Sequence, residues 1–206
     1  MVTKSEDFNL LAVSQPSIGG CCPIPNTKEE IDKLEKCAAG LTVLRREGPE
    51  VTTKQLQVDM GKCSWAHFAC HGVQDLEDPM MSGLDLDNNE RLQLSDIIAK
   101  DLHHTEFAFL SACQTASGDG NLPDEAIHLA AGMLLAGYRS VIATMWSIKD
   151  NDAPLIAEEV YSRLLKGGRP NATLAASALQ DAVKVLRNTI GDTSFLSWVP
   201  FIHIGI

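Results

Sequence analysis

No basic cluster occurs anywhere in this chain. Lys and Arg number 17 against 27 Asp and Glu, the formal net charge is −10, and the isoelectric point is about 5.0. A face that neutralises nucleic-acid phosphates needs clustered Lys and Arg, so no nucleic-acid partner is expected. Nor does any apolar stretch reach the roughly 18 residues of a membrane-spanning helix. The N-terminus, from Met1 to Asp7, carries charge where a secretory signal would carry an apolar core, so no membrane partner is expected either. The six cysteines (Cys21, Cys22, Cys37, Cys63, Cys70 and Cys113) follow no secreted framework. A chain of 206 residues does not need disulfides to hold a core. Free thiols in a reducing, cytoplasmic compartment are the expectation. Internal repeats, low-complexity segments and linkers are also missing, which favours a single domain over residues 1–206.

What the chain does have is alternation. Short apolar runs at 8–14, 41–45, 65–70, 107–110, 140–146 and 199–204 read as strands, and helix-forming segments separate most of them. Asn26 and Thr27 are placed to cap the helix that runs to Cys37. Residues 78–91 read as a hairpin excursion turning at Asp87-Asn88-Asn89, and Leu94–Lys100 as a short helix started by Ser95-Asp96. The segment 125–136 is apolar nearly all round and is expected to be deeply buried, with Gly132 permitting close packing. The pattern predicts an α/β fold: a mostly parallel sheet flanked by helices on both faces.

Two strand ends carry candidate chemistry. The run Phe107–Leu110 gives way to Ser111, Ala112 and Cys113, and then to polar and glycine-rich residues. Open α/β sheets place their ligands at the carboxyl ends of strands, and a thiol beside a polar turn is a candidate nucleophile. The upstream run ends in Cys70, His71 and Gly72, which supplies an imidazole as candidate base and a glycine that lets backbone amides approach a ligand. A lone Cys or His is more often a packing residue; the pairing of two strand ends gives these two their weight.

The segments 67–72 (HFACHG), 110–115 (LSACQT), 125–146 (EAIHLAAGMLLAGYRSVIATMW) and 198–205 (WVPFIHIG) resemble the CHAT domain, a caspase-like, separase-related group of cysteine peptidases. That resemblance implies a caspase–haemoglobinase-like fold and a cysteine endopeptidase working through an acyl-enzyme. Cys113 would be the nucleophile and His71 the general base and acid. The backbone amides of Gly72 and Cys113 would form the oxyanion hole. A strand beyond the nucleophile would pair with the substrate backbone, here Met145-Trp146-Ser147, with Trp146 as a subsite wall. Ser111 and Gln114, which flank the nucleophile, and Asp150 complete the substrate-binding candidates. Ser111 is neutral, so it does not enforce a basic P1 residue. Asp150, Asp152 or Asp119 could reach into that pocket, and the Gly19–Cys22 loop could form another wall. The Gly118–Asn121 loop could order on activation.

The expected partner is a protein substrate, with a regulatory protein or repeat-containing segment supplying control; no cofactor and no metal are expected. Two other readings carry features of their own. A catalytically silent scaffold of the same fold would bind partners without turnover. A metal site could draw on His67, Cys70, His71 and Cys113, but strand alternation would send His67 and Cys70 to opposite faces. Acidic residues at 75–78 or 85–90 could supply oxygens to calcium.

Overall fold

A computed structural model describes residues 8–19, 21–73, 75, 77–100, 102–114 and 126–206, with the backbone alone at 113, 114 and 126–128. Among the described residues eight strands form one sheet. They are β1 (Asn9–Ser14), β2 (Thr42–Glu47), β3 (Trp65–Val73), β4 (Gly83–Asp85), β5 (Arg91–Gln93), β6 (Phe107–Gln114), β7 (Ser140–Thr144) and β8 (Phe201–Gly205). The main order is β2-β1-β3-β6-β7-β8. All neighbours on that path are parallel except β8, which runs antiparallel to β7. The order reverses between β1 and β3, and the crevice at such a switch point is where α/β sheets bind ligands.

Among the described residues seven α-helices accompany the sheet: α1 (Thr27–Cys37), α2 (Thr53–Met60), α3 (Leu94–Ile98), α4 (Ala126–Ala136), α5 (Ala153–Leu164), α6 (Ala175–Ile190) and α7 (Phe195–Trp198). Strand alternation sorts the core into two layers. Trp65, Ala69, Phe107 and Phe109 pack against Ile31 and Leu34 of α1, Ile156 and Val160 of α5, and Leu179 of α6. Ala66, Phe68, Cys70 and Leu110 face Leu56 and Met60 of α2, Ile97 of α3, and Met133 of α4. In the first layer Trp65 is fully buried with the rings of Phe8 and Phe107 at 5.1 and 5.0 Å. Burying each such ring contributes about 1.5–3 kcal/mol.

Several sequence expectations need correction. β6 continues through Gln114 rather than ending at Leu110, because β3 offers a ladder partner at every position from Trp65 to Gly72. Ser111 and Ala112 are small, but nothing in them breaks a strand. Asn26 precedes α1 without capping it by its side chain. The short helix α3 is entered at Gln93, whose amide donates to Asp96 Oδ2 at 3.3 Å, rather than at Ser95. Helix α4 is not buried all round, since Leu135 is 71% exposed. Gly132 does permit close packing: a Cβ there would lie 1.9 Å from Leu94 Cδ1. The hairpin at 83–93 forms, with Asn89 at φ 62° in its turn.

Candidate active site

The site is set by where β1 stops. Its ladder with β3 runs only to Ser14 opposite Ala69, after which Pro16, lacking an N–H, turns the chain away. Past that point β3 continues without β1. Its last three residues, His71, Gly72 and Val73, gain β4 as an antiparallel partner instead, with His71 opposite Asp85 and Gly72 opposite Leu84. On the other side β6 runs parallel, with His71 opposite Cys113 and Gly72 opposite Gln114. Adjacent strands lie about 4.8 Å apart. The two strand ends singled out by sequence are therefore neighbours in register at the carboxyl end of the sheet.

His71 is 2% exposed, and neither ring nitrogen makes a well-aligned hydrogen bond among the described residues. Burial pushes its pKa below the ordinary histidine value; the Cys22 backbone and the charges of Asp85 and Asp150 oppose that push without cancelling it. The ring is therefore neutral at neutral pH, the form a base requires. Two other thiols are disfavoured as thiolates: burial pushes Cys63 up to about 11 and raises Cys37 as well. Cys70 is fully buried in the opposite layer.

The remaining site candidates divide. Ser111 lies on β6 opposite Ala69 and is 5% exposed. Asp150 sits in the loop between β7 and α5, where its Oδ2 accepts the Asn26 N–H at 3.1 Å. Asn26 Nδ2 also donates to Asn151 Oδ1. Met145 N–H donates to Pro200 O at 2.9 Å, and the Trp146 indole N–H donates to Leu196 O, also at 2.9 Å. Trp146 is thus pinned to α7, and Ser147 beside it is exposed. Asp152 precedes α5 and is buried, with no hydrogen bond at Oδ2 among the described residues. The side chains of Cys113 and Gln114, the Gly118–Asn121 loop with Asp119, and Gly20 lie outside the described residues.

The metal set does not assemble. His67 points into the α1 and α5 layer, where its Nδ1 lies 3.1 Å from the Tyr161 hydroxyl, whereas Cys70 points into the α2–α4 layer. The acidic loops are committed locally. Asp75 Oδ1 accepts the amides of Glu77 and Asp78, Asp85 pairs with Arg91 at 2.6 Å, and Glu90 accepts the Thr53 amide at 2.7 Å. Among the described residues no group of three or more His, Cys, Asp or Glu is spaced to hold a metal ion. No helix among them is long and apolar enough to cross a membrane.

Sequence reasoning did not place Asp85 or Asp150 beside His71. Asp85 reaches it through three-residue strands, too short to announce their pairing. The Asn26 link to Asp150 spans 124 positions, and nothing local signals it.

A family model for the CHAT domain matches residues 2–206. The chain belongs to the CHAT domain family. The CHAT domain here also resembles solved structures. One is the Arg-specific cysteine proteinase gingipain R, at TM-score 0.62 and 13% identity, covering 98% of this chain and 47% of that one. Another is the complex of the RgpB pro- and mature domains from Porphyromonas gingivalis, at TM-score 0.62 and 15% identity, covering 97% and 47%. The chain thus spans about half the length of these structures. At such identities the likeness shows the fold, which is the caspase-like α/β arrangement of cysteine peptidases. Among curated proteins no sequence matches the chain.

Proposed function

We propose that this CHAT domain is a cysteine endopeptidase. One observation carries the reading: the register that sets His71 opposite Cys113 at the carboxyl ends of β3 and β6. Neutral His71 takes the proton of the Cys113 thiol, and the thiolate attacks the scissile carbonyl carbon. The tetrahedral oxyanion is held by the backbone N–H groups of Gly72 and Cys113. Removing one such donor in a related mechanism costs about 10²–10³ in rate. His71 returns its proton to the leaving amine, leaving an acyl-enzyme. It then deprotonates the water that hydrolyses that thioester.

The substrate is an extended segment of a protein laid along Met145–Ser147, with Trp146 held by Leu196 as a subsite wall. The Arg specificity in the name of gingipain R is not carried over, because the residue two before Cys113 is the neutral Ser111. A regulatory protein or a repeat-containing segment controls access.

A peptide library spanning all P1 residues, digested with the full chain and read by mass spectrometry, tests this. Cys113→Ala is expected to abolish every cleavage, and the wild-type profile is expected to extend beyond Arg and Lys at P1. Cleavage unchanged in Cys113→Ala would remove the assignment. A folded chain that binds peptides without cutting any would place it among silent scaffolds of this fold.

A further inference from the structure

The loop before α1 and the loop before α5 meet over the end of β3. Asp150 Oδ2 takes the Asn26 amide, and the Asn26 side chain takes Asn151. The same two helices are joined further along, where Lys33 bridges Glu29 and Glu158 at 3.2 and 3.0 Å and Cys37 Sγ donates to Glu158 O at 3.7 Å. The Asn26–Asp150 contact therefore closes the end of an extended α1–α5 interface. Residues 21–25 are drawn in with it, since Ile24 N–H donates to Pro16 O at 2.9 Å and Cys22 lies against the His71 ring.

Several groups face His71. Cys113 lies opposite it on β6 and Asp85 on β4, and Cys22 presents its backbone. Asp150 comes from the loop before α5; Glu30 of α1 adds its charge at Asp150, and His67 precedes His71 on the same face of β3. Asp85 is occupied by Arg91. Asp150 has no cationic partner among the described residues, and its Asn26 bond is to a neutral amide.

Building on the reading of His71 as the base, we infer that Asp150 is a positioning residue for it. Its carboxylate fastens the Cys22–Asn26 loop against the imidazole and supplies the negative charge that favours the imidazolium formed during the reaction. Hydrogen-bonding and charge are separable functions here. Asn at 150 keeps an oxygen for the Asn26 amide but removes the charge. Burial, helped by the charge of Glu30, holds the Asp150 carboxyl above the ordinary aspartate value, and the Asn26 amide and the His71 charge oppose that push without cancelling it. This reading assigns Asp150 to His71 rather than to the P1 pocket, with Oδ2 given to the Asn26 amide.

The test is the titration of His71 in the full chain carrying Cys113→Ala, followed by NMR of ¹⁵N-labelled histidine and assigned through His71→Ala. Adding Asp150→Asn is expected to move the His71 midpoint to lower pH, and Asp150→Glu to restore it. An unmoved midpoint in a folded Asp150→Asn chain overturns the inference. On the Cys113 background, Asp150→Asn is expected to lower kcat roughly 10–100-fold with KM nearly unchanged, for peptides with basic and neutral P1 residues alike. A loss confined to Arg or Lys at P1 also overturns it, and makes Asp150 a reader of substrate. The titration needs no turnover. It stands even if Cys113→Ala leaves cleavage intact and the peptidase assignment falls.

Discussion

Two histidines four residues apart on one strand show how this fold separates structure from chemistry. Both are buried, at 0% and 2% exposure, and both face the α1 and α5 layer. His67 is enclosed. Its Nδ1 lies 3.1 Å from the Tyr161 hydroxyl, Glu30 Oε1 approaches Nε2 at 3.1 Å without hydrogen-bond alignment, and the rings of Phe109 and Tyr161 flank it at 4.9 and 5.5 Å. Among the described residues His71 has no comparable side-chain partner. It sits two residues past Ala69, where β1 leaves the sheet, and β4 and the Cys22 backbone lie beside it. An imidazole held between a hydroxyl and a carboxylate inside a helix layer is placed to stabilise a core. One at a strand end beside a thiol-bearing strand is placed to move a proton.

The first way to break this comparison is to remove each ring. His67→Ala would leave the Tyr161 hydroxyl and Glu30 buried beside a cavity, and is expected to cost roughly 2–5 kcal/mol of stability. His71→Ala strands no buried side-chain hydrogen bond among the described residues and is expected to cost clearly less. Urea denaturation of the two variants measures both. Equal losses would mean that His71 is as structural as His67.

A smaller effect sharpens the comparison through pH. Burial lowers the folded pKa of His71, so the unfolded chain binds the proton more readily than the folded one. Stability is then fully present well above the unfolded value of about 6.5 and is lost as pH falls below it. Burial lowers His203 in the same direction, so it contributes a share of that loss. Denaturation midpoints between pH 7.5 and 5 are expected to fall in the wild type and to fall less steeply in His71→Ala. An unchanged slope would show that the folded ring charges as easily as the unfolded one.

Much of this was legible in the sequence. Periodicity found six of the eight main-sheet and edge segments as strands, because apolar runs bounded by Gly, Pro and polar turns have one reading in a buried sheet. Cys113, His71 and Gly72 were found by residue type at strand ends. Their mutual register was not, because register is a property of the pair β3–β6 and neither run carries it alone. Asn26 looked like a helix cap since its position relative to α1 suits one, and only its contact with the loop before α5 redirects it. The exposed face of α4 escaped for a related reason: composition reports that Leu135 is apolar, not whether a further layer covers it. The four-residue helix α7, which holds Trp146, is too short to leave a periodic signal.

The central claim is that His71, and not His67, serves Cys113. Its most direct measurement is the rate of iodoacetamide alkylation at each cysteine at neutral pH, resolved by peptide mapping, in the wild type, His71→Gln and His67→Gln. The account predicts that Cys113 reacts faster than the exposed Cys22, that His71→Gln slows Cys113 to the rate of an ordinary thiol, and that folded His67→Gln leaves its rate nearly unchanged. A Cys113 no faster than Cys22, or one indifferent to His71→Gln, would contradict it.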